Sequence, residues 1–190
     1  MGSYYYLTSQ LPYLIYGQKP PMSSLAFKDL AVSLMDDADA ALLEQLSRDS
    51  FQENARLTDC EFIDRWRDWE RTLRLNLARE RAVKNKRQNT AAFTDEPPVV
   101  PSDAAQAAIK IVVGGESPLD KEILLDKARW AEIDNLAGND YFHRNTVFAY
   151  YLKLVLLERK ALFNADEGFD EYKSLYASIL ENAQYAGEPK

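Results

Sequence analysis

The chain has 190 residues, of which 46% are hydrophobic and 28% are charged, and its formal net charge at neutral pH is −7. This composition is that of a globular protein and excludes a disordered chain, which would contain fewer aliphatic and aromatic residues. The single cysteine excludes an internal disulfide, and the acidic balance disfavours nucleic acid and anionic membranes as partners of the surface as a whole.

The chain opens with an aromatic segment, Tyr4 to Leu14, which is followed by the proline pair Pro20-Pro21. Because prolines interrupt regular structure, we expect a short strand or an extended arm here. In an extended arm, Tyr4 and Tyr6 would face one way and Tyr5 the other. The three rings either pack the arm onto the core, which we favour, or anchor a partner protein, since tyrosine is enriched at interface hot spots.

Helical patterns follow along the chain. Serines 23 and 24 can cap one helix, and the aspartates at 36 and 37 begin another. The spacing from Thr58 to Glu61 is typical of a capping box. Apolar side chains then recur every three or four residues, which predicts a long helix that continues to about Lys86. The stripe consists of Phe62, Trp66, Trp69, Leu73 and Leu77.

The segment 89–101 contains three prolines and no periodic pattern, so we expect an exposed loop or linker. Four further helices are predicted after it, from capping residues, glycine stops and apolar periodicity. They are an alanine-rich helix ending at Gly114-Gly115, one from Ser117-Pro118 to about Gly138, one capped by Asn145 and running through Phe163, and one after Gly168. The predicted fold class is therefore all-α: a single domain, 1–190, forming a bundle of six to seven helices with a long central helix and an extended aromatic N-terminal arm.

Residues with catalytic potential are few. The only histidine, His143, lies in a predicted turn, where we interpret it as an exposed loop residue rather than a general base. Cys60 lies near a helix start and is interpreted as a packing residue. One histidine is too few for a di-iron or zinc site of the usual types, and no phosphate-binding glycine motif is present. We therefore expect no enzymatic activity, no metal, no cofactor and no small-molecule substrate.

Charge is distributed unevenly along the chain. Residues 65–87 contain nine bases and three acids, whereas residues 29–59 contain eight acids and two bases. The basic helix could be a solvated face, could dock on an acidic protein surface, or could meet phosphates of nucleic acid. Its candidate contact residues are Arg74, Arg81, Lys84 and Arg87.

Two stretches carry a family resemblance: the opening YYYLTSQLPYLIYGQKPPMS, and LLDKARWAEIDNLAGNDYFHRNTVFAYYLKLVLLERKALF near the C-terminal end. Together they resemble a bacterial domain family of unknown function encoded in V/A-type ATPase operons, which would make the chain a short relative of the all-helical C-type (eukaryotic d-type) stalk subunit. The sequence departs from the family pattern at Lys160, where an aromatic residue is expected.

The resemblance implies a non-enzymatic subunit or assembly factor that bridges stalk subunits of the ATPase through helical surfaces. Its partners would be other ATPase subunits, and it would be cytoplasmic, reaching the inner membrane only through the complex. The first residues also lack the basic-then-apolar pattern of a secretory signal. Within the second stretch, Asp126, Arg129 and Trp130 are interpreted as a buried lock between helices. The alternative function is a nucleic-acid-binding module that uses the basic helix 65–87.

Overall fold

A computed structural model describes residues 4–46, 58–84, 103–114, 117–162, 169 and 171–179. Every regular element among these residues is an α-helix, which confirms the all-α prediction. The helices are α1 (Tyr5–Ser9), α2 (Ser24–Val32), α3 (Asp37–Gln45), α4 (Glu61–Lys84), α5 (Asp103–Gly114), α6 (Pro118–Ala137), α7 (Arg144–Ala161) and α8 (171–179).

The chain divides into two compact units, Met1–Glu158 and Arg159–Lys190. The first unit contains α1 to α6 and nearly all of α7, and the second contains the end of α7 and α8. The expectation of a single domain over the whole chain stays a prediction. The predicted loop 89–101 and Arg87 lie outside the described residues, as does the side chain of Lys84.

The core of the first unit is built on the apolar stripe of α4 and on α7. All five side chains of the predicted stripe are buried. The ring of Phe62 stacks on Phe148 of α7 with 6.2 Å between centroids, and Trp66 stacks on Trp69 at 5.6 Å. Eight of the 18 side chains of α7 are buried, and most of the others are half-buried. Around this pair, α5 packs against α4 and α6, α4 packs against α6, and α2 packs against α3.

The helix ends follow the capping chemistry of the sequence in two places. Ser23 precedes α2, and its side chain accepts a hydrogen bond from the backbone N–H of Ala26. Ser117 precedes α6, accepts from the N–H of Asp120, and is followed by a proline at the first helical position. Helix α5 ends at Gly114, as predicted.

Two predicted caps are wrong. The box between Thr58 and Glu61 does not form, because α4 begins at Glu61 itself and the residue within reach of Thr58 is Asp64, whose carboxylate accepts from the Thr58 N–H at 2.9 and 3.0 Å. Asn145 does not cap α7, since that helix already begins at Arg144. There the N–H of Asn145 donates to Nδ1 of His143 at 3.3 Å, which gives the histidine a local structural role.

The N-terminal arm is extended only in part. Tyr5–Ser9 forms the short helix α1, whereas residues 11–15 have no regular structure. Polar side chains that follow the tyrosines donate to carbonyls of this turn: Thr8 Oγ1 to Tyr4 O at 3.0 Å, and Gln10 Nε2 to Tyr6 O at 2.9 Å. The expected alternation of the tyrosines is therefore wrong, because a helical turn does not place alternate side chains on opposite faces.

Candidate interaction surface

Tyr4 belongs to the core of the first unit. Its hydroxyl donates to Asp39 Oδ2 at 2.6 Å, and its backbone N–H donates to the carbonyl of Phe142 at 2.8 Å. Asp39 also accepts from Nη1 of Arg144 at 2.9 Å, and that guanidinium donates to the carbonyl of Asp59 at 2.7 Å. Tyr4 thus joins the start of the chain to α3 and to the beginning of α7.

The next two tyrosines behave differently. Tyr5 and Tyr6 expose 61% and 68% of their surface. The ring of Tyr5 meets that of Phe142 with 4.7 Å between centroids. Two further rings, Tyr13 and Tyr141, are exposed by 87% and 75%. These exposed rings place a large aromatic area at the surface of the first unit.

Tyr13, Tyr141 and Phe142 line one groove of about 430 Å³, and Tyr5 contacts its edge through Phe142. We call these four side chains the aromatic surface. The walls of the groove come from the end of α1, the irregular segment that follows it, α6, α7 and the turn between α6 and α7. They consist of Thr8, Ser9, Leu11, Pro12, Tyr13, Leu14, Trp130, Asp134, Ala137, Gly138, Tyr141, Phe142, Thr146, Ala149, Tyr150 and Lys153.

Side-chain contacts hold the N-terminal segment in place along the groove. Tyr150 of α7 donates its hydroxyl to the carbonyl of Pro12 at 2.9 Å, and burial raises the pKa of this tyrosine to about 12. Tyr16 donates to the carbonyl of Ile123 at 3.1 Å and packs edge-on against the ring of Trp130 at 5.5 Å. The groove is therefore a preformed feature of the first unit.

The floor of the groove contains an ion pair. Lys153 of α7 pairs with Asp134 of α6, and its ammonium lies 4.9 Å from the ring centroid of Trp130. Trp130 is therefore a groove residue, separate from the buried ion pairs that involve Asp126 and Arg129.

Those ion pairs join α4 to α6. Arg129 donates to both carboxylate oxygens of Glu70 at 2.9 Å and to Asp126 Oδ1 at 2.8 Å, and all three side chains are buried. Sequence reasoning missed Glu70. The available signal was its position, four residues after Trp66 and three before Leu73, which places a carboxylate on the apolar face of α4.

The basic helix is partly neutralised by the same carboxylate. Nε of Arg74 lies 3.0 Å from Oε1 of Glu70, and the Arg74 side chain is 40% exposed. Arg81 is exposed.

Among the residues that the structure describes, no group of three or more His, Cys, Asp and Glu side chains is placed to hold a metal ion. No helix in the described ranges is long and apolar enough to cross a bilayer.

A second missed contact joins α7 to α2. The carboxylate of Glu158 accepts from the backbone N–H of Ser24 at 2.7 Å and from its hydroxyl at 2.6 Å. A carboxylate at this position satisfies a free N–H at the start of α2 and interacts favourably with the helix dipole. The contact spans 134 residues, so sequence periodicity could not reveal it.

Helices α6 and α7, which form one wall of the groove, fall within the region that is similar to a known family. Residues 109–182 match the family described as Protein of unknown function (DUF2764). The DUF2764 segment includes α6, α7, α8 and the end of α5, and thus one wall of the groove. No curated protein and no solved structure gives a match. The family description carries no function, and the connection with ATPase operons stays a prediction.

Proposed function

We propose that this chain is a non-enzymatic subunit or assembly factor of a bacterial V/A-type ATPase and that it bridges stalk subunits through the aromatic surface. The observation that carries this proposal is the exposure of the Tyr5, Tyr13 and Tyr141 rings beside a preformed groove. Tyrosine supplies large contact area at a small cost in side-chain entropy, and it is enriched where protein interfaces concentrate their binding energy.

The position of the surface also supports a bridging role. Its two halves, the N-terminal segment and the α6–α7 turn, coincide with the two stretches that resemble the ATPase-operon family. They are held together by the hydrogen bond from the Tyr4 N–H to Phe142 O and by the bond from Tyr150 to Pro12. A rigid surface loses little entropy on binding, which favours affinity.

The proposal is tested by affinity purification of the tagged full chain from bacterial membranes that contain the V/A-type ATPase. We expect ATPase subunits to copurify with the native chain and their yield to fall in the double variant Tyr5→Ala and Tyr141→Ala, because a loss of about 1 kcal/mol at each of two interface rings weakens binding about thirtyfold. Tyr172→Ala is the matched control, since this tyrosine of α8 has the same 61% exposure as Tyr5.

Two outcomes would contradict the proposal. Recovery of the chain without ATPase subunits would exclude the assignment to the complex. Equal yields for the double variant and the native chain would exclude the aromatic surface as the contact. Copurification of nucleic acid that is lost in Arg74→Glu with Arg81→Glu and weakens steeply with salt would favour the alternative function instead.

A further inference from the structure

One positively charged group of the chain itself already lies in the groove. The ammonium of Lys153 lies between the ring of Trp130 and the carboxylate of Asp134. An aromatic face and a carboxylate together attract an ammonium or guanidinium group, the ring through its quadrupole and the carboxylate through its charge. The side chains of this wall are therefore chemically suited to basic groups.

In the ion pair of Lys153 and Asp134, the carboxylate remains accessible to a second cation. The Asp134 side chain is 55% exposed, whereas that of Lys153 is only 17% exposed. A carboxylate has about four acceptor sites, so one lysine does not saturate it. Asp134 and Lys153 are the acid and the base among the described lining residues, and an incoming group therefore meets the carboxylate first.

The turn beside the groove adds negative charge. Asp140 is exposed, and its Oδ1 accepts from the N–H of Phe142 at 3.0 Å, which places it next to the aromatic surface. The nearest arginine or lysine along the chain, Arg144, is directed elsewhere, toward Asp39 and the carbonyl of Asp59. Asp134 and Asp140 thus place two exposed carboxylates beside the rings, in a chain whose net charge is −7.

We propose that the groove receives an arginine or lysine side chain from a basic segment of a partner protein. The cationic group binds Asp134 and lies against the exposed rings of Tyr13 and Tyr141. Charge complementarity selects this occupant over an acidic segment, because the single base of the groove is both shielded and already paired. This inference rests on the proposed function only in taking the groove as a protein-binding surface.

The test is a binding titration of the full chain with a fluorescein-labelled Gly/Ser peptide that carries three arginines, compared with the same peptide carrying citrulline. Citrulline keeps the shape of arginine and removes its charge. We expect the arginine peptide to bind about fivefold more tightly, since exposed cation–π and ion-pair contacts are individually weak. Asp134→Asn is expected to lower arginine-peptide affinity about threefold and to leave citrulline-peptide affinity unchanged.

Two further variants test whether arginine-peptide binding depends specifically on the ion pair of Asp134 and Lys153. Lys153→Met releases Asp134 and the Trp130 ring, so we expect it to raise arginine-peptide affinity about twofold. Glu61→Gln removes an exposed carboxylate of α4 that does not line the groove, and we expect no effect. Equal binding of the two peptides, or no weakening in Asp134→Asn, would overturn the inference, and so would unchanged or weaker binding in Lys153→Met.

The two proposals fail independently. ATPase subunits that copurify through Tyr5 and Tyr141, combined with equal binding of the arginine and citrulline peptides, would retain the proposed function and exclude a basic partner segment. Charge-dependent peptide binding at Asp134 without copurification of ATPase subunits would retain the basic-segment site and exclude the assignment to the ATPase.

Discussion

Arg129 of α6 and Glu70 of α4 form a two-pronged ion pair in the core, with Nε and Nη2 of the guanidinium each 2.9 Å from a different carboxylate oxygen. Burial by itself lowers the pKa of Arg129, but the hydrogen bonds and negative charges of Glu70 and Asp126 raise it above its ordinary value. The arginine therefore stays charged, and the pair fixes the register of α6 against α4.

Removal of the arginine from this pair should strongly destabilise the fold. In Arg129→Met, the buried carboxylates of Asp126 and Glu70 both lose the guanidinium of Arg129, while Glu70 retains its pair with Arg74. We expect the free energy of unfolding in urea to fall by about 3–5 kcal/mol. Arg65→Met is the control, because its pair with Glu61 is exposed on both sides and should change stability by less than about 1 kcal/mol. Similar losses in the two variants would contradict the buried pair.

The contact between Glu158 and Ser24 predicts a graded loss of stability. Glu158→Ala removes the acceptor for both the N–H and the hydroxyl of Ser24, and we expect a loss of about 2 kcal/mol. Ser24→Ala removes only the hydroxyl and should cost about 1 kcal/mol. Urea unfolding measures both values, and hydrogen exchange of the first amides of α2 locates the effect. A larger loss in Ser24→Ala than in Glu158→Ala would contradict this geometry.

Two tyrosines make stability decrease in alkali. Burial raises the pKa of Tyr150 from 10.0 to about 12, and burial together with the bond to Asp39 raises the pKa of Tyr4. The unfolded chain releases these protons near pH 10 while the folded chain keeps them. The stabilisation is thus complete below pH 10 and decreases as the pH rises toward the folded pKa.

We expect Tyr150→Phe and Tyr4→Phe each to flatten the fall in urea midpoint between pH 9 and pH 11. Tyr4→Phe should also cost about 1 kcal/mol at pH 7, because Asp39 loses a buried donor. Tyr13→Phe, whose ring is the most exposed of the aromatic surface, is the control and should follow the native chain. Curves parallel to that of the native chain for all three variants would show that neither the Tyr4 nor the Tyr150 hydroxyl is linked to folding.

The glycine after α6 is required for its backbone conformation. Gly138 has a backbone φ of +74°, which residues with a side chain rarely adopt, although no atom would clash with an added Cβ. Gly138→Ala should therefore cost about 1–2 kcal/mol through strain alone. Gly114 also has open space around it, and in the helical conformation Gly114→Ala should be neutral or stabilising by up to about 1 kcal/mol. Thermal unfolding distinguishes the two, and equal effects would exclude backbone strain at 138.

Local patterns in the sequence predict most of the helices. The apolar stripe from Phe62 to Leu77 is sufficient to predict α4, and the Ser117-Pro118 pair is sufficient to predict the start of α6. Both patterns are local, because the side chains that stabilise a helix lie within four residues of one another. The failed caps at Thr58 and Asn145 follow from the same locality, since the first residue of a helix shifts by one or two positions at little energetic cost.

The groove is formed by contacts between residues that are far apart in the sequence, so local sequence patterns cannot predict it. Tyr4 is buried and Tyr5 exposed because Asp39 and Phe142 lie where Tyr4 can bond to both, and neither residue is near it in the sequence. The same applies to Tyr150 and Pro12, which are 138 positions apart. The composition indicates that each tyrosine belongs either to the core or to an interface. Which rings are buried is determined by the packing of the helices.

The bond between Glu70 and Arg129 crosses the border of the DUF2764 segment, and so do the stacking of Phe62 on Phe148 and the bond from Ser24 to Glu158. A fragment cut at 109 and 182 would keep one partner of each contact and lose the other. In this fragment Arg129 would keep Asp126 but lose Glu70, and the Phe148 ring would be bare to water, so we expect the fragment to precipitate on expression. The segment with recognisable relatives thus depends for its packing on α2 and α4, which lie outside that segment.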